Sequence, residues 1–378
     1  MGKIELDHTG SGSGVTLSSD GTDLLLNGTA IGGGGGAALE LYAENPSSPT
    51  APSATGTNGI AIGDGAQAGN FDDALAIGAS SFANNLQAQA VGYDTTASGN
   101  RSSAFGRGAT ASNSYATALG YTPTASGTSS LAAGRSAQAA GDYATALTNS
   151  YASGTDSFAA AIANNTSSYG ATGSSSVAIG YQGKATAFGA VSLGRGTQAT
   201  ANYSLASGFN SVASASYGVA LGYEATTYTQ TSIAFSAGSF SGIAGQHQGR
   251  IFAFRQRTTD ATPKVLVTDG GSSGSTNDQI ILPNNSAYAF HGTIVARQQA
   301  SQGTACAAWK IEGLIRREGS AGTTVLVNSA TTVLDNTPAW GLALSADTTN
   351  GGLKIEATGA ASTNIAWSAT INTSEVTY

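Results

Sequence analysis

The sequence predicts an all-β protein, a parallel β-roll solenoid of coils about fourteen residues long followed by a C-terminal β-sandwich. Three observations carry that prediction. A small residue, an apolar residue and a glycine recur at a short fixed spacing through the middle of the chain. Alanine returns five positions after those glycines. Past residue 240 the repeat gives way to short alternating apolar runs separated by turn sequences. Fixed short-period self-similarity marks stacked coils, each of which buries its faces only against its neighbours.

The elements follow in order. Residues 1–45 hold short strands: Val15-Thr16-Leu17, and Leu24-Leu25-Leu26 followed by the hairpin signal Asn27-Gly28. The glycine run 32–36 reads as a joint, and the Ser/Pro/Thr-rich stretch 46–58 as a linker. Residues 59–240 form the solenoid. Its corner glycines are Gly63, Gly78, Gly92, Gly106, Gly120, Gly134, Gly180, Gly194, Gly208 and Gly222. The same site reads Thr148 and then Ala163 in the middle of the run, and fades at Ser236. A longer interval over 164–176 reads as a loop-out from one edge of the stack.

Inside each repeat, Ala97, Ala111, Ala125, Ala139, Ala185, Ala199 and Ala213 keep one register. Alanine at so many inward sites makes each coil thin, so a single stack buries little apolar area. The Ile, Leu, Val or Phe before each glycine then needs a second contact, and an obligate oligomer is expected with that column packed between chains. Just after the glycines stand Tyr93, Arg107, Tyr121, Arg135, Tyr181, Arg195, Phe209 and Tyr223. This column reads either as a sugar-stacking ladder or as structural cross-links between coils; we take the structural reading.

Residues 241–378 carry apolar runs at 250–254, 264–267, 279–282, 287–296, 308–316, 323–327, 341–344, 353–357 and 364–371, with a last short strand at 371–378. Many short strands at this spacing argue for a β-sandwich. All three tryptophans lie here, with Trp309, Ile311 and Ile315 expected on the inward face. Cys306 is alone and reads as a small buried hydrophobe.

The run Ser103-Ala104-Phe105-Gly106-Arg107-Gly108-Ala109-Thr110-Ala111 resembles the head repeats of trimeric autotransporter adhesins. That resemblance implies a left-handed parallel β-roll in a homotrimer. The C-terminal phrases Thr259-Asp260-Ala261-Thr262-Pro263, Ile281-Leu282-Pro283-Asn284 and Trp340-Gly341-Leu342-Ala343-Leu344 resemble the terminal modules of tailed-bacteriophage fibres. Together the resemblances imply a virion tail fibre made in the host cytoplasm. Residues 1–45 would attach to a tail or baseplate protein, 59–240 would serve as shaft, and 241–378 as a tip that contacts a host surface polysaccharide.

The sequence also excludes several functions. Charged residues are 10% of the chain, the net charge is −7, and no segment is basic enough for a nucleic-acid footprint. The start has no long apolar run and no stretch reaches the roughly eighteen apolar residues of a membrane helix, so neither a signal peptide nor membrane insertion is expected. His8, His247 and His291 stand apart, without close-spaced partners, so no metal and no cofactor are expected. Asp72-Asp73 is the adjacent acidic pair a glycosidase reading would use, but it falls in a corner and reads as a solvated turn. No enzyme is expected. Receptor contact is assigned to Trp340, Tyr288 and Arg316. The rival readings are a polysaccharide-depolymerising tailspike and a bacterial cell-surface adhesin.

Overall fold

A computed structural model describes residues 50–160, 168–271 and 273–378, with the backbone of five short strands before them. The chain divides into two compact units, Met1–Ser136 and Ala137–Tyr378. In the first, Ile4–Leu6, Val15–Ser19, Leu24–Leu26 and Thr29–Ala30 form an antiparallel sheet in chain order. Leu26 pairs with Thr29 across Asn27-Gly28. Those two turn residues and the glycine run 32–36 lie outside the described residues.

The coils that follow each contribute one short and one longer strand. Phe82–Ala83, Thr96–Ala97, Thr110–Ala111 and Thr124–Ala125 stack in parallel on one side. Leu75–Ile77, Gln89–Val91, Ser103–Arg107, Thr117–Tyr121 and Leu131–Ala133 stack on the other. Register is strict: Ala90, Ala104, Ala118 and Ala132 lie over one another. The stack begins earlier than the expected linker boundary at 58. Ser53–Ala54 already pairs with Gln67–Ala68, and Leu39–Leu41 with Ile60–Ile62.

Small residues dictate this coil. Ala104 from the long strand and Ala111 from the short one are fully buried, as are Ala109 and Ala116 beside the corners. With four such columns filled by alanine and residues as small as Ser102 and Thr95, the two sheets approach closely and leave no space for Leu or Ile. Those residues are turned outward instead, onto the other face of the long strands; Leu119 is 38% exposed.

The corners need unusual backbone. In the coil of Gly92, that glycine has φ 136°, Asp94 has φ 54° and Arg101 has φ 55°. Non-glycine residues in the left-handed region cost roughly 1–2 kcal/mol each. The cost is offset because the corners also hydrogen-bond from coil to coil: Asp94 N donates to Ala79 O at 2.9 Å and Arg101 N to Leu86 O at 2.8 Å. At the corner glycine no such tolerance exists. A Cβ on Gly92 would lie 1.8 Å from Gly106 O, and one on Gly106 2.0 Å from Gly120 O.

In the second unit the same coil runs from Gln138–Ala139 to the strand Ser232–Ala237. Ala160 aligns with Leu147 and Ile179, and the corner site read as Ala163 lies outside the described residues. The first part of the expected loop-out also lies outside the described residues; the stack is in register at Gly170–Ala171. This unit has its own exposed apolar column, with Ile179 at 39%, Leu221 at 38% and Phe235 at 52%.

Coil stacking ends where Ser232–Ala237 pairs antiparallel with the next strand. We number the strands from there: β1 His247–Thr258, β2 Lys264–Val265, β3 Ile280–Ile281, β4 Ser286–Gln298, β5 Cys306–Arg317, β6 Val325–Asp335, β7 Gly341–Asp347, β8 Gly352–Thr358 and β9 Ile365–Thr377. All pairings are antiparallel. A larger sheet has the order β1–β9–β4–β5–β6. In a smaller one β8 carries β7 on one edge and β2 and β3, end to end, on the other.

One core lies between these two sheets. Strict two-residue alternation in β1, β4 and β9 sends Phe252, Phe254, Tyr288, Phe290, Ile294, Trp367 and Ile371 inward. They meet Leu353 and Ile355 of β8, with Leu266, Ile280 and Leu282. Trp309, Ile311 and Ile315 are buried on β5 as expected. The expectation for Cys306 fails: it is exposed, because alternation that buries Ala307 and Trp309 turns Cys306 outward. Two boundaries also change. The strand expected at 323–327 runs on to Asp335, and the separate strand at 371–378 is the second half of β9.

Candidate functional site

The aromatic and arginine column of the coils is built by register. Every fourteen residues the position after the corner glycine returns to the same line, so its side chains lie one coil apart. In the first unit the Arg107 guanidinium sits between the rings of Tyr93 and Tyr121, 5.6 and 5.5 Å from their centroids. In the second, Arg195 sits 5.4 Å from both Tyr181 and Phe209, and Phe209 stacks on Tyr223 at 5.0 Å.

A further ladder, which the sequence reading passed over, occupies the other left-handed corner. Arg101 Nη1 donates to Tyr115 Oη at 2.8 Å, and Tyr203 stacks on Tyr217 with centroids 5.3 Å apart and planes 7° apart. The fourteen-residue interval between Tyr203 and Tyr217 was its signal. In both ladders a ring face meets a side chain of the adjacent coil, while the rings stay about half exposed, Tyr93 at 56% and Tyr217 at 58%. The ladders therefore brace the coils.

Of the three residues assigned to receptor contact, the structure moves two into the core. Trp340 is 4% exposed; its ring packs against Trp367 at 6.0 Å, and Asn336 holds its backbone through N–H to Oδ1 at 2.9 Å and Nδ2–H to O at 2.7 Å. The turn that Asn336 closes delivers the ring to Trp367, so a residue that follows a turn is still covered. Tyr288 is fully buried, on the same inward face of β4 as Phe290 and Ile294. Arg316 alone is on the surface, in an ion pair with Glu318. The three residues do not form one site.

Tyr288 instead belongs to a buried polar cluster at the coil end of this domain. Arg250 faces inward from β1 with 0% side-chain exposure and donates from Nε to Glu375 Oε1 at 2.6 Å. Its Nη2 donates to Tyr228 Oη at 2.9 Å, and the Tyr228 and Tyr288 hydroxyls hydrogen-bond to each other. Gln248 Nε2 and Thr373 Oγ1 donate to the carboxylate at 2.9 and 2.5 Å. Burial holds both phenols well above the ordinary tyrosine value. Burial is the largest influence on Arg250 and acts against its charge, yet Glu375, Tyr228 and Tyr288 together outweigh it and hold the guanidinium above its ordinary value. With Tyr228 on the coil side and β1, β4 and β9 on the other, the cluster ties the last coil to the domain.

The remaining chemistry-bearing residues are engaged locally. Asp72 Oδ1 accepts from Thr57 N at 3.2 Å and Asp73 Oδ1 from Asn58 Nδ2 at 3.2 Å, while Asp73 occupies a left-handed corner. The pair serves the turn. Among the described residues no three His, Cys, Asp or Glu side chains converge on a point that could hold a metal, and no helix is long and apolar enough to cross a membrane.

The coils match the YadA head domain repeat at residues 54–81, 83–109, 97–122, 125–147, 171–197, 185–211, 199–225 and 213–235, less than half of the chain. The chain thus carries adhesin-head-type β-roll repeats. No curated protein matches it. Among solved structures it is similar, at 10% identity and a TM-score of 0.19, to the tailspike protein gp49 of the Acinetobacter baumannii bacteriophage Fri1, a capsular polysaccharide depolymerase. That match covers 85% of this chain and 68% of that one. An overlap this loose carries no argument for fold or activity.

Proposed function

We propose that the chain is a tail fibre or receptor-binding protein of a tailed bacteriophage, a homotrimer that holds the virion to a glycan on the bacterial surface. Residues 1–45 attach it to a tail or baseplate protein, the coils are its shaft, and the C-terminal domain is its tip. It binds without cutting. The observation that carries this reading is the joint between the last coil and β1: Ser232–Ala237 continues directly into the larger sheet, so the coils present the domain rigidly.

Self-association is supported by two exposed surfaces. In the second unit the outward column that includes Ile179, Leu221 and Phe235 repeats at the coil period, and in the first Leu119 is exposed at the same place in its coil. An apolar line so regular is covered by copies that carry the same line. In the C-terminal domain, β6 is an edge strand exposed along nearly its whole length, with Val327 at 47%, Val333 at 56% and Leu334 at 59%. Such an edge is a template for another chain. Three weak sites on one particle then give lasting attachment through effective concentration.

The test is the mass of the purified full-length chain in solution together with its retention on a panel of encapsulated bacteria. Three times the protomer mass and retention on some strains support the proposal; a monomer that binds none refutes it. The repeat match taken alone also fits a bacterial cell-surface adhesin. Antibody labelling of virions against cells separates the two.

A further inference from the structure

Three strands of the larger sheet reach the far end of the C-terminal domain together, away from the coil. Arg257 of β1 and Arg297 of β4 both stand in register with Ala366 of β9, one on each side. Alternation turns all three outward. Strands lie about 4.8 Å apart, so the two arginine Cα atoms are about 10 Å apart with only a methyl group between them. The result is a cleft of about 380 Å³ with Ala366 on its floor, arginine walls, and Gln298, Gln299 and Asn364 on its rim.

The charge in this cleft is unanswered. Arg250, Lys310, Arg316 and Lys354 each pair with a glutamate. Among the described residues no carboxylate comes within ion-pair distance of Arg257 or Arg297. Arg297 Nη1 donates one long bond, 3.4 Å, to Ala305 O. The rim, by contrast, is held in place. Asn364 Nδ2 donates to Gln299 Oε1 at 2.9 Å, Asn364 N to Gln302 Oε1 at 2.7 Å, and Gln298 Nε2 to Gln302 O at 3.0 Å.

Two guanidinium groups without a carboxylate partner facing one cleft call for an anion, and a guanidinium fork matches a planar carboxylate through two parallel hydrogen bonds. Fixed amides on the rim suit hydroxyl groups, which both donate and accept. A ligand that offers a carboxylate beside hydroxyls on a ring of this size is an acidic sugar. We propose that the cleft binds a uronic-acid unit of an anionic bacterial surface polysaccharide, with Arg257 and Arg297 on its carboxylate. This rests on the attachment reading above and names the class of glycan.

The experiment is affinity electrophoresis of the full-length chain in gels containing a polyuronate such as polygalacturonate or hyaluronan, the same polymer with its carboxyl groups reduced, or polyphosphate. The expected result is retardation by at least one polyuronate, none by its reduced form, and at least a tenfold weaker interaction for Arg257→Ala and for Arg297→Ala. Lys354→Ala, on the smaller sheet, keeps wild-type retardation, and tryptophan fluorescence confirms that each variant is folded. Equal retardation of wild type and both cleft variants overturns the proposal, as does no retardation by any polyuronate. Retardation by polyphosphate alone also overturns it, since the anion is then not a sugar acid. Bacterial retention separates the two readings. If wild type adheres to cells but ignores every polyuronate, only this inference falls; if it adheres to no cells, the attachment reading falls.

Discussion

Replacing Glu375 with glutamine isolates one charge in the core of the C-terminal domain. The side chain keeps its size, but its one carbonyl oxygen can replace either the oxygen that accepts from Gln248 or the one that accepts from Thr373, not both, and Arg250 loses its counter-ion at 2.6 Å with both side chains at 0% exposure. Its bonds to Tyr228 and to Ile281 O remain. Breaking a buried pair from one side costs about 3–5 kcal/mol, and the surviving hydrogen bonds favour the lower end. With a urea dependence of about 1–3 kcal/mol per molar, the unfolding midpoint falls by roughly 1–3 M. All three tryptophans are in this domain, so their fluorescence reports its unfolding alone. The double variant Arg250→Met with Glu375→Leu removes both charges and recovers most of the loss. A loss below about 1 kcal/mol in Glu375→Gln, or a double variant no better than the single, refutes the assignment of this cluster as a buried ion pair.

Three further outcomes follow. Gly106→Ala places a Cβ 2.0 Å from Gly120 O at φ 124°, so it lowers stability by about 3 kcal/mol or more, read as an earlier thermal transition by circular dichroism. Arg107→Ala removes two cation–π contacts at an exposed site and costs about 1–2 kcal/mol, while retention on bacteria is unchanged; lost retention would make the ladder a receptor surface. Alkaline pH destabilises the C-terminal domain through Tyr228 and Tyr288, whose folded-state values are raised by burial. Their contribution is complete below the unfolded value near about 10 and is lost as pH rises, at about 1.4 kcal/mol per pH unit for each. Part of the tyrosinate absorbance then appears only together with the tryptophan-reported unfolding, and a smooth titration of every tyrosine before unfolding would contradict the burial.

The solenoid was legible because its physics is periodic. Once Ala90, Ala104 and Ala118 hold one register, the thin interior and the outward apolar column are consequences of residue size. The corner chemistry was only half legible. Glycine marks one corner, whereas Asp94 and Arg101 adopt positive φ because hydrogen bonds from the preceding coil hold them there.

In the C-terminal domain the sequence misled where burial comes from distant packing. Trp340 looked like a loop residue because it follows Asn336-Thr337-Pro338, and its cover, Trp367, is remote in the chain. Tyr288 and Cys306 were recoverable from parity alone. Tyr288 shares its face with Phe290 and Ile294, and Cys306 is out of step with Trp309. The same parity puts Arg250 in line with Phe252 and Phe254, hence inside. The arginine cleft was invisible beforehand, since Arg257, Arg297 and Ala366 become neighbours only through β9.

The most direct test of the account incubates the full-length chain with bacteria that retain it and follows bound protein and released reducing sugar in the same tubes. The account predicts stable retention with no sugar released over time. Steady sugar release, with the chain detaching as the surface polysaccharide shortens, would contradict it and make the protein a depolymerase.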